Sequence, residues 1–161
     1  MDKPNGPTVF ISYSHRDLRW FLGLEKHLRA LMAEGFFTVW SDQAIRAGEN
    51  WYPRILQGIS EARVAILLIS ADYLTSDFVR HEEIPRLLER RLYEGMTIIP
   101  VLCRPCPWQP VKWLSAMQMR PQGCRPLSTR SFPQAEMEFA SIAEEVMDVL
   151  REAECPRKRV G

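Results

Sequence analysis

At 161 residues, with 46% apolar residues and five tryptophans, the chain is long enough to bury one core and too apolar to be disordered. Its 21 basic and 20 acidic residues nearly cancel, so composition offers no field that would recruit nucleic acid or an anionic membrane surface. No segment approaches a membrane-spanning helix, the opening MDKPNGPT lacks the apolar stretch of a signal peptide, and four cysteines do not make a disulfide framework in a chain this size; a cytoplasmic protein is expected.

In chain order, a short tail (1–7) precedes TVFIS (Thr8 to Ser12), an apolar, β-branched run that reads as a buried strand. Asp17 is placed to cap a helix running to about Glu34, with Phe21, Leu24, Leu28 and Leu31 on one face and Gly35 as its stop. FFTVW (Phe36 to Trp40) is a second strand, followed by a helix from Trp51 to Glu61 that presents Ile55 and Ile59. RVAILLIS (Arg63 to Ser70) is a third strand, and a helix from Phe78 to Glu94 ends near Gly95. MTIIPVLC (Met96 to Cys103) is a fourth. Pro-rich chain follows from Arg104 to Pro133, with a short strand expected around Ala116 to Met119. The last helix, Gln134 to Glu154, carries Phe139, Ile142, Ala143, Val146 and Leu150 as one stripe. A single domain over 8–154 is expected, with 155–161 a basic tail or the start of a linker.

Alternating strands and helices predict a doubly wound α/β domain with four or five parallel strands and right-handed crossovers. Ligands in such sheets bind beyond the carboxyl ends of the strands. Tyr13-Ser14-His15, Ser41-Asp42-Gln43, Ser70 to Tyr73 and Arg104-Pro105 fall there. Neither GxGxxG nor GxxxxGK[ST] is present, which excludes the familiar nucleotide loops. The first and third strand ends lack the carboxylates of a phospho-acceptor site. CRPC (Cys103 to Cys106) has redox or half-zinc spacing. No second CxxC follows, and the prolines after it argue against the helix that would activate a thiol. His15, His27 and His81 build no nucleophile–base arrangement.

The carboxylates Glu82 and Glu83 remain. In an α-helix Phe78 and Glu82 share a face, Glu83 points about a quarter turn away, and Pro85 cannot donate to the His81 carbonyl, so the helix kinks or is interrupted there. An aromatic one turn before a carboxylate suits a ligand whose bond breaks with positive charge developing. By spacing alone, such a pair is more often a solvated helix face.

Taken together, VFISYSHRD (Val9 to Asp17), VWSDQAIRAGENW (Val39 to Trp51), RVAILLISADYLTSDFVRHEE and IIPVLCRPCPW resemble the Toll/interleukin-1 receptor (TIR) domain from about Val9 to Pro110. The second resembles the family's second strand and mobile BB loop. The third resembles the pattern S-x-x-Y-x-x-S-x-W-C-x-x-E as Ser70, Tyr73, Ser76, Phe78, Glu82, with Phe78 in place of Trp and Val79 in place of Cys. The resemblance implies a flavodoxin-like three-layer sandwich with a five-stranded parallel sheet and helices on both faces. It also implies an NAD+ glycohydrolase of bacterial type, releasing nicotinamide and ADP-ribose or a cyclic isomer in immune-type signalling or cell-suicide defence. Glu82 is then the catalytic carboxylate and Glu83 stands where the family is usually apolar. Tyr13, Ser14 and His15 would line the ribose or phosphate side, Phe78 would offer its ring, and Asp42, Arg46 and Gly48 would gate access. NAD+ is substrate, with no cofactor or metal. The implied partners are further TIR domains, through contacts that include the BB loop, and a fused or separate sensor or oligomerisation domain. The alternative is a non-catalytic TIR adaptor that signals by homotypic contact.

Overall fold

Four strands, β1 (Thr8–Ser12), β2 (Thr38–Trp40), β3 (Ala62–Ile69) and β4 (Thr97–Leu102), lie parallel in the order β2-β1-β3-β4. They belong to a computed structural model that describes residues 6–44 and 47–154. Arg46, Cys155 and the tail beyond it lie outside those residues. The helices are α1 (Leu18–Ala33), α2 (Trp51–Glu61), α3 (Ala71–Leu74), α4 (Ile84–Glu94), α5 (Lys112–Ser115) and α6 (Phe132–Glu154). Among the described residues, no helix is long and apolar enough to cross a membrane.

Strand side chains alternate between two cores. Val9, Ile11, Val64, Ile66, Leu68 and Val101 pack with Phe21, Leu24 and Leu28 of α1 and with Phe139, Ile142 and Val146 of α6. Phe10, Ala65, Leu67, Ile69 and Leu102 pack on the other face with Ile55 and Ile59 of α2 and with Ile84 and Leu87 of α4. Both faces of β1 and β3 are therefore covered, which is why Val9 to Ile11 and Val64 to Ile69 read as unbroken apolar runs.

The sheet has four strands, where the resemblance implied five. At the expected place of the fifth, Arg120 alone pairs beside β4: Arg120 N–H donates to the Pro100 carbonyl at 2.8 Å, and Leu102 N–H donates to the Arg120 carbonyl at 2.7 Å. Pro121 follows and has no N–H to continue the ladder. Asp17 also departs from its expected role. It occupies the cap position of α1 but makes no side-chain capping bond. Its fully buried carboxylate instead accepts from Ser70 Oγ and, at 2.7 Å, from Arg104 Nε, and Arg104 also pairs with Asp72. This cluster ties together the exits of β1, β3 and β4.

The helix expected from Phe78 is interrupted ahead of Pro85, as the proline requires. Val79–Glu83 form a π turn, closed by Ile84 N–H donating to the Val79 carbonyl five residues back, and α4 then proceeds to Gly95 in the left-handed conformation. The proline ring would clash with the carbonyl four residues before it, and opening the preceding turn relieves that contact.

Candidate functional site

At the carboxyl edge of the sheet lies a cavity of about 560 Å³ between the ends of β1 and β2, the start of α2 and the π turn. Phe10, Trp40, Trp51 and Phe78 give it ring walls. Phe10 and Trp40 stack with centroids 5.3 Å apart, and Trp51 meets Phe78 edge to face at 5.0 Å. Trp40 is held close by Gly58 of α2, where an added Cβ would come within 2.7 Å of the indole.

The π turn decides which glutamate reaches this cavity. In a regular α-helix each residue turns about 100°, so the fourth residue after Phe78 returns to within about 40° of it and the fifth overshoots to about 140°. A turn closed by an i to i+5 bond absorbs one extra residue, bringing the fifth residue to the place the fourth would hold. Glu83 accordingly lines the cavity, 6% exposed, and Ser12 Oγ donates to its Oε2 at 2.6 Å. Tyr73, fully buried, donates through its hydroxyl to Ser12 Oγ at 3.0 Å.

Glu82 is directed elsewhere, contrary to the expectation that it faces the crevice. Its Oε2 accepts from Tyr52 Oη at 2.8 Å and from Arg86 Nη1 at 2.7 Å, joining α4 to α2 outside the cavity lining. Electrostatics separate the neighbours further. The Tyr52 and Arg86 hydrogen bonds hold the Glu82 carboxyl below its ordinary value. Burial pushes Glu83 up to about 7, against the lowering effect of the Ser12 hydrogen bond and with a small raising contribution from the charge of Asp42.

Of the other expected site residues, Tyr13, Ser14, His15, Asp42 and Phe78 all line the cavity. The Tyr13 ring stacks on Phe21 at 4.2 Å and its hydroxyl accepts from Gln43 Nε2 at 3.0 Å. His15 is largely exposed and its Nε2 pairs with Asp42 Oδ2. Ser14 accepts from Arg16 N–H at 3.3 Å, which places it as the cap of a short 3-10 turn. Gly48 is not brought to the cavity. It is exposed with φ +83° and open space around it, so backbone conformation is what glycine supplies there. Arg46 lies outside the described residues.

Ser12, Trp40, Trp51, Tyr73 and Glu83 were not selected from the sequence. Tyr73 stood in the Ser70-Tyr73-Ser76 pattern, and Pro85 was the signal that the register ahead of it could change. Among the described lining residues the ionisable side chains are Glu83, Asp42, His15, Tyr13 and Tyr73, with no lysine or arginine. This arrangement suits a cationic or polyhydroxylated ligand with a flat ring better than a phosphate. Among the described residues, no group of three or more His, Cys, Asp and Glu is placed to hold a metal ion. Cys103, Cys106 and Cys124 are free thiols, and burial raises the first two.

Comparison with known proteins adds three findings. The sequence profile of the TIR domain matches residues 9–127. The chain is 33% identical over 161 residues to the uncharacterized protein y4lF of Sinorhizobium fredii (strain NBRC 101917 / NGR234), covering 96% of this chain and 48% of that protein. It thus spans about half the length of this curated relative. Among solved structures it is similar to the RPS4 and RRS1 TIR domain heterodimer (TM-score 0.55, 13% identity, 91% of this chain and 99% of that one). It is also similar to the TIR domains of the activated Roq1 resistosome, which directly recognizes the pathogen effector XopQ (TM-score 0.52, 18% identity, 86% and 84%). At these identities the solved structures speak for the fold.

Proposed function

The chain belongs to the TIR domain family, and from that premise we propose that it is an NAD+ glycohydrolase whose reacting carboxylate is Glu83. The observation that carries this reading is the placement of Glu83: a buried carboxylate facing a ring-walled cavity at the carboxyl edge of the sheet. The cavity takes the nicotinamide–ribose end of NAD+. The bond between C1′ and the nicotinamide nitrogen breaks with its electron pair passing to the ring, which leaves neutral. Ionised Glu83 opposes the positive charge left on the ribose. Water then adds at C1′ and loses a proton, giving ADP-ribose, or a nucleophile within the ADP-ribosyl group closes a cyclic isomer.

A carboxyl that titrates near 7 is protonated about half the time at neutral pH, and an approaching cation favours the anion. The site therefore charges when its substrate arrives. Trp51, beside Phe78, supplies an indole at the cavity wall that the substituted motif position lacks. Self-association belongs to the proposal, because one structural neighbour was solved as a TIR heterodimer and another within a resistosome. The resistosome, which recognizes a pathogen effector, supports a role in immune-type signalling.

The test is NAD+ turnover by purified protein held in an enforced oligomer, with products separated by chromatography. Glu83→Gln is expected to lose at least about 100-fold in rate, and Glu82→Gln to stay close to wild type. Equal persistence of NAD+ with wild type and Glu83→Gln would sink the enzyme and leave the adaptor reading. Loss in Glu82→Gln alone would return the chemistry to the residue that motif spacing selects.

A further inference from the structure

We propose that Ser12 and Tyr73 are positioning residues, a buried hydroxyl relay that commits Oε2 of Glu83 to the fold and leaves Oε1 for the ligand. The inference rests on Glu83 being the carboxylate of the site.

Three groups from three separate elements make the relay: Tyr73 from α3, Ser12 from the end of β1 and Glu83 from the π turn. Exposures of 0%, 4% and 6% leave water little part in satisfying them. A buried tyrosine hydroxyl needs an acceptor, and Ser12 Oγ provides it at 3.0 Å. A serine hydroxyl has one proton to give. Once Ser12 has accepted from Tyr73, that proton is directed to Glu83 Oε2, at 2.6 Å. Both donations run toward the carboxylate, so the relay favours the anion and opposes the burial that favours the acid.

The other ionisable groups around Glu83 do not substitute for this donor. Asp42, beyond β2, adds negative charge and is itself paired with His15. The hydroxyl of Tyr13 is engaged by Gln43, and from α2 the lining side chains Trp51 and Ile55 do not ionise. On Glu83's own segment, Glu82 and Arg86 are occupied with each other and with Tyr52. Ser12 is the one hydrogen-bond donor that the described residues give to the Glu83 carboxylate.

The experiment follows the Glu83 side-chain carboxyl by 13C NMR across pH in the ligand-free protein, with the resonance assigned from its disappearance in Glu83→Gln. Ser12→Ala is expected to raise the midpoint by about one pH unit. Tyr73→Phe should raise it by less, and Ser12→Thr, which keeps a hydroxyl, should leave it near wild type. In the NAD+ assay Ser12→Ala should lower kcat at pH 7 with KM little changed, and recover part of the loss at higher pH. An unmoved carboxyl midpoint in Ser12→Ala, with the fold intact by amide spectra, overturns the relay whatever the turnover. Wild type that leaves NAD+ intact while the Ser12→Ala midpoint still rises would retain the relay and remove the enzymatic reading.

Discussion

Ser12 and Glu83 stand 71 residues apart in the chain and meet through a 2.6 Å hydrogen bond beneath the cavity. That contact joins the end of the first strand to a helical turn carrying one residue more than an α-helix allows. It makes Glu83 an internal acid, while Glu82 beside it remains a surface one.

Glu83 should make stability depend on pH. Its folded-state value, about 7, is raised above the ordinary 4.5. The folded protein therefore holds this proton more tightly than the unfolded chain, and the contribution is complete below about 4.5 and lost as pH rises through about 7. At about 1.4 kcal/mol per pH unit, Glu83→Gln should gain on wild type by about 2–3 kcal/mol between pH 5 and pH 8. Urea unfolding at a series of pH values checks this, and parallel curves for the two proteins would contradict it.

Turnover should follow the same titration in the active direction. NAD+ has no group titrating near neutrality, so kcat/KM should rise with pH through a single midpoint near that of free Glu83, about 7. The midpoint in kcat should lie lower, because the bound cation favours the carboxylate. Glu82→Gln should keep both midpoints. A profile that falls with rising pH would mean that the protonated acid is the working form.

Deletion of Arg80, an exposed residue of the π turn, combined with Pro85→Ala, tests the register. With one residue fewer and no proline ring to hold it open, the turn closes as α-helix and Glu83 stands four residues after Phe78, on the same face as before. The deletion variant should retain turnover within about tenfold of wild type, an allowance for shifts in placement near 1 Å. Its dependence should remain on Glu83, assayed by adding Glu83→Gln or Glu82→Gln. Dependence that passes to Glu82 would show that the π turn does not set which carboxylate faces the ligand.

Gly58→Ala probes the ring wall. Helix propensity favours alanine by about 1 kcal/mol, but a Cβ within 2.7 Å of the Trp40 indole forces that ring off Phe10. Overpacking of this kind costs about 1–3 kcal/mol, so a net loss near 1 kcal/mol is expected, with a raised KM for NAD+. Urea denaturation and steady-state kinetics read the two effects. A variant as stable as wild type with unchanged KM would mean that Trp40 yields without consequence.

Much of the architecture was legible from local pattern. Within the runs Thr8 to Ser12 and Arg63 to Ser70, the stretches Val9 to Ile11 and Val64 to Ile69 are apolar because the central strands are covered on both faces, and each run is within a residue of the strand that forms. The α1 stripe of Phe21, Leu24 and Leu28 lies in the core for the same reason. Four of the candidate residues, Tyr13, Ser14, His15 and Asp42, follow strand ends, and a parallel sheet gathers its strand ends on one edge. Arg120, in contrast, sits in Pro-rich chain without periodicity, and its pairing beside Val101 depends on the neighbouring strand. Asp17 resembles a cap by position, and only the arrival of Ser70 and Arg104 from distant segments gives its carboxylate other partners.

Residue types and their periods determined by themselves the parallel sheet, its covered faces and the edge at which a site would form, because burial acts on each segment through its own pattern. Which of two adjacent glutamates belongs to that site was decided by tertiary structure. A proline opens the turn before it by one residue, and a change of one residue rotates every side chain in the turn. Ser12, whose hydroxyl receives Glu83, and Tyr52, which with the nearby Arg86 holds Glu82, lie 71 and 30 residues away in the chain. Long-range partners of this kind leave no local period to read.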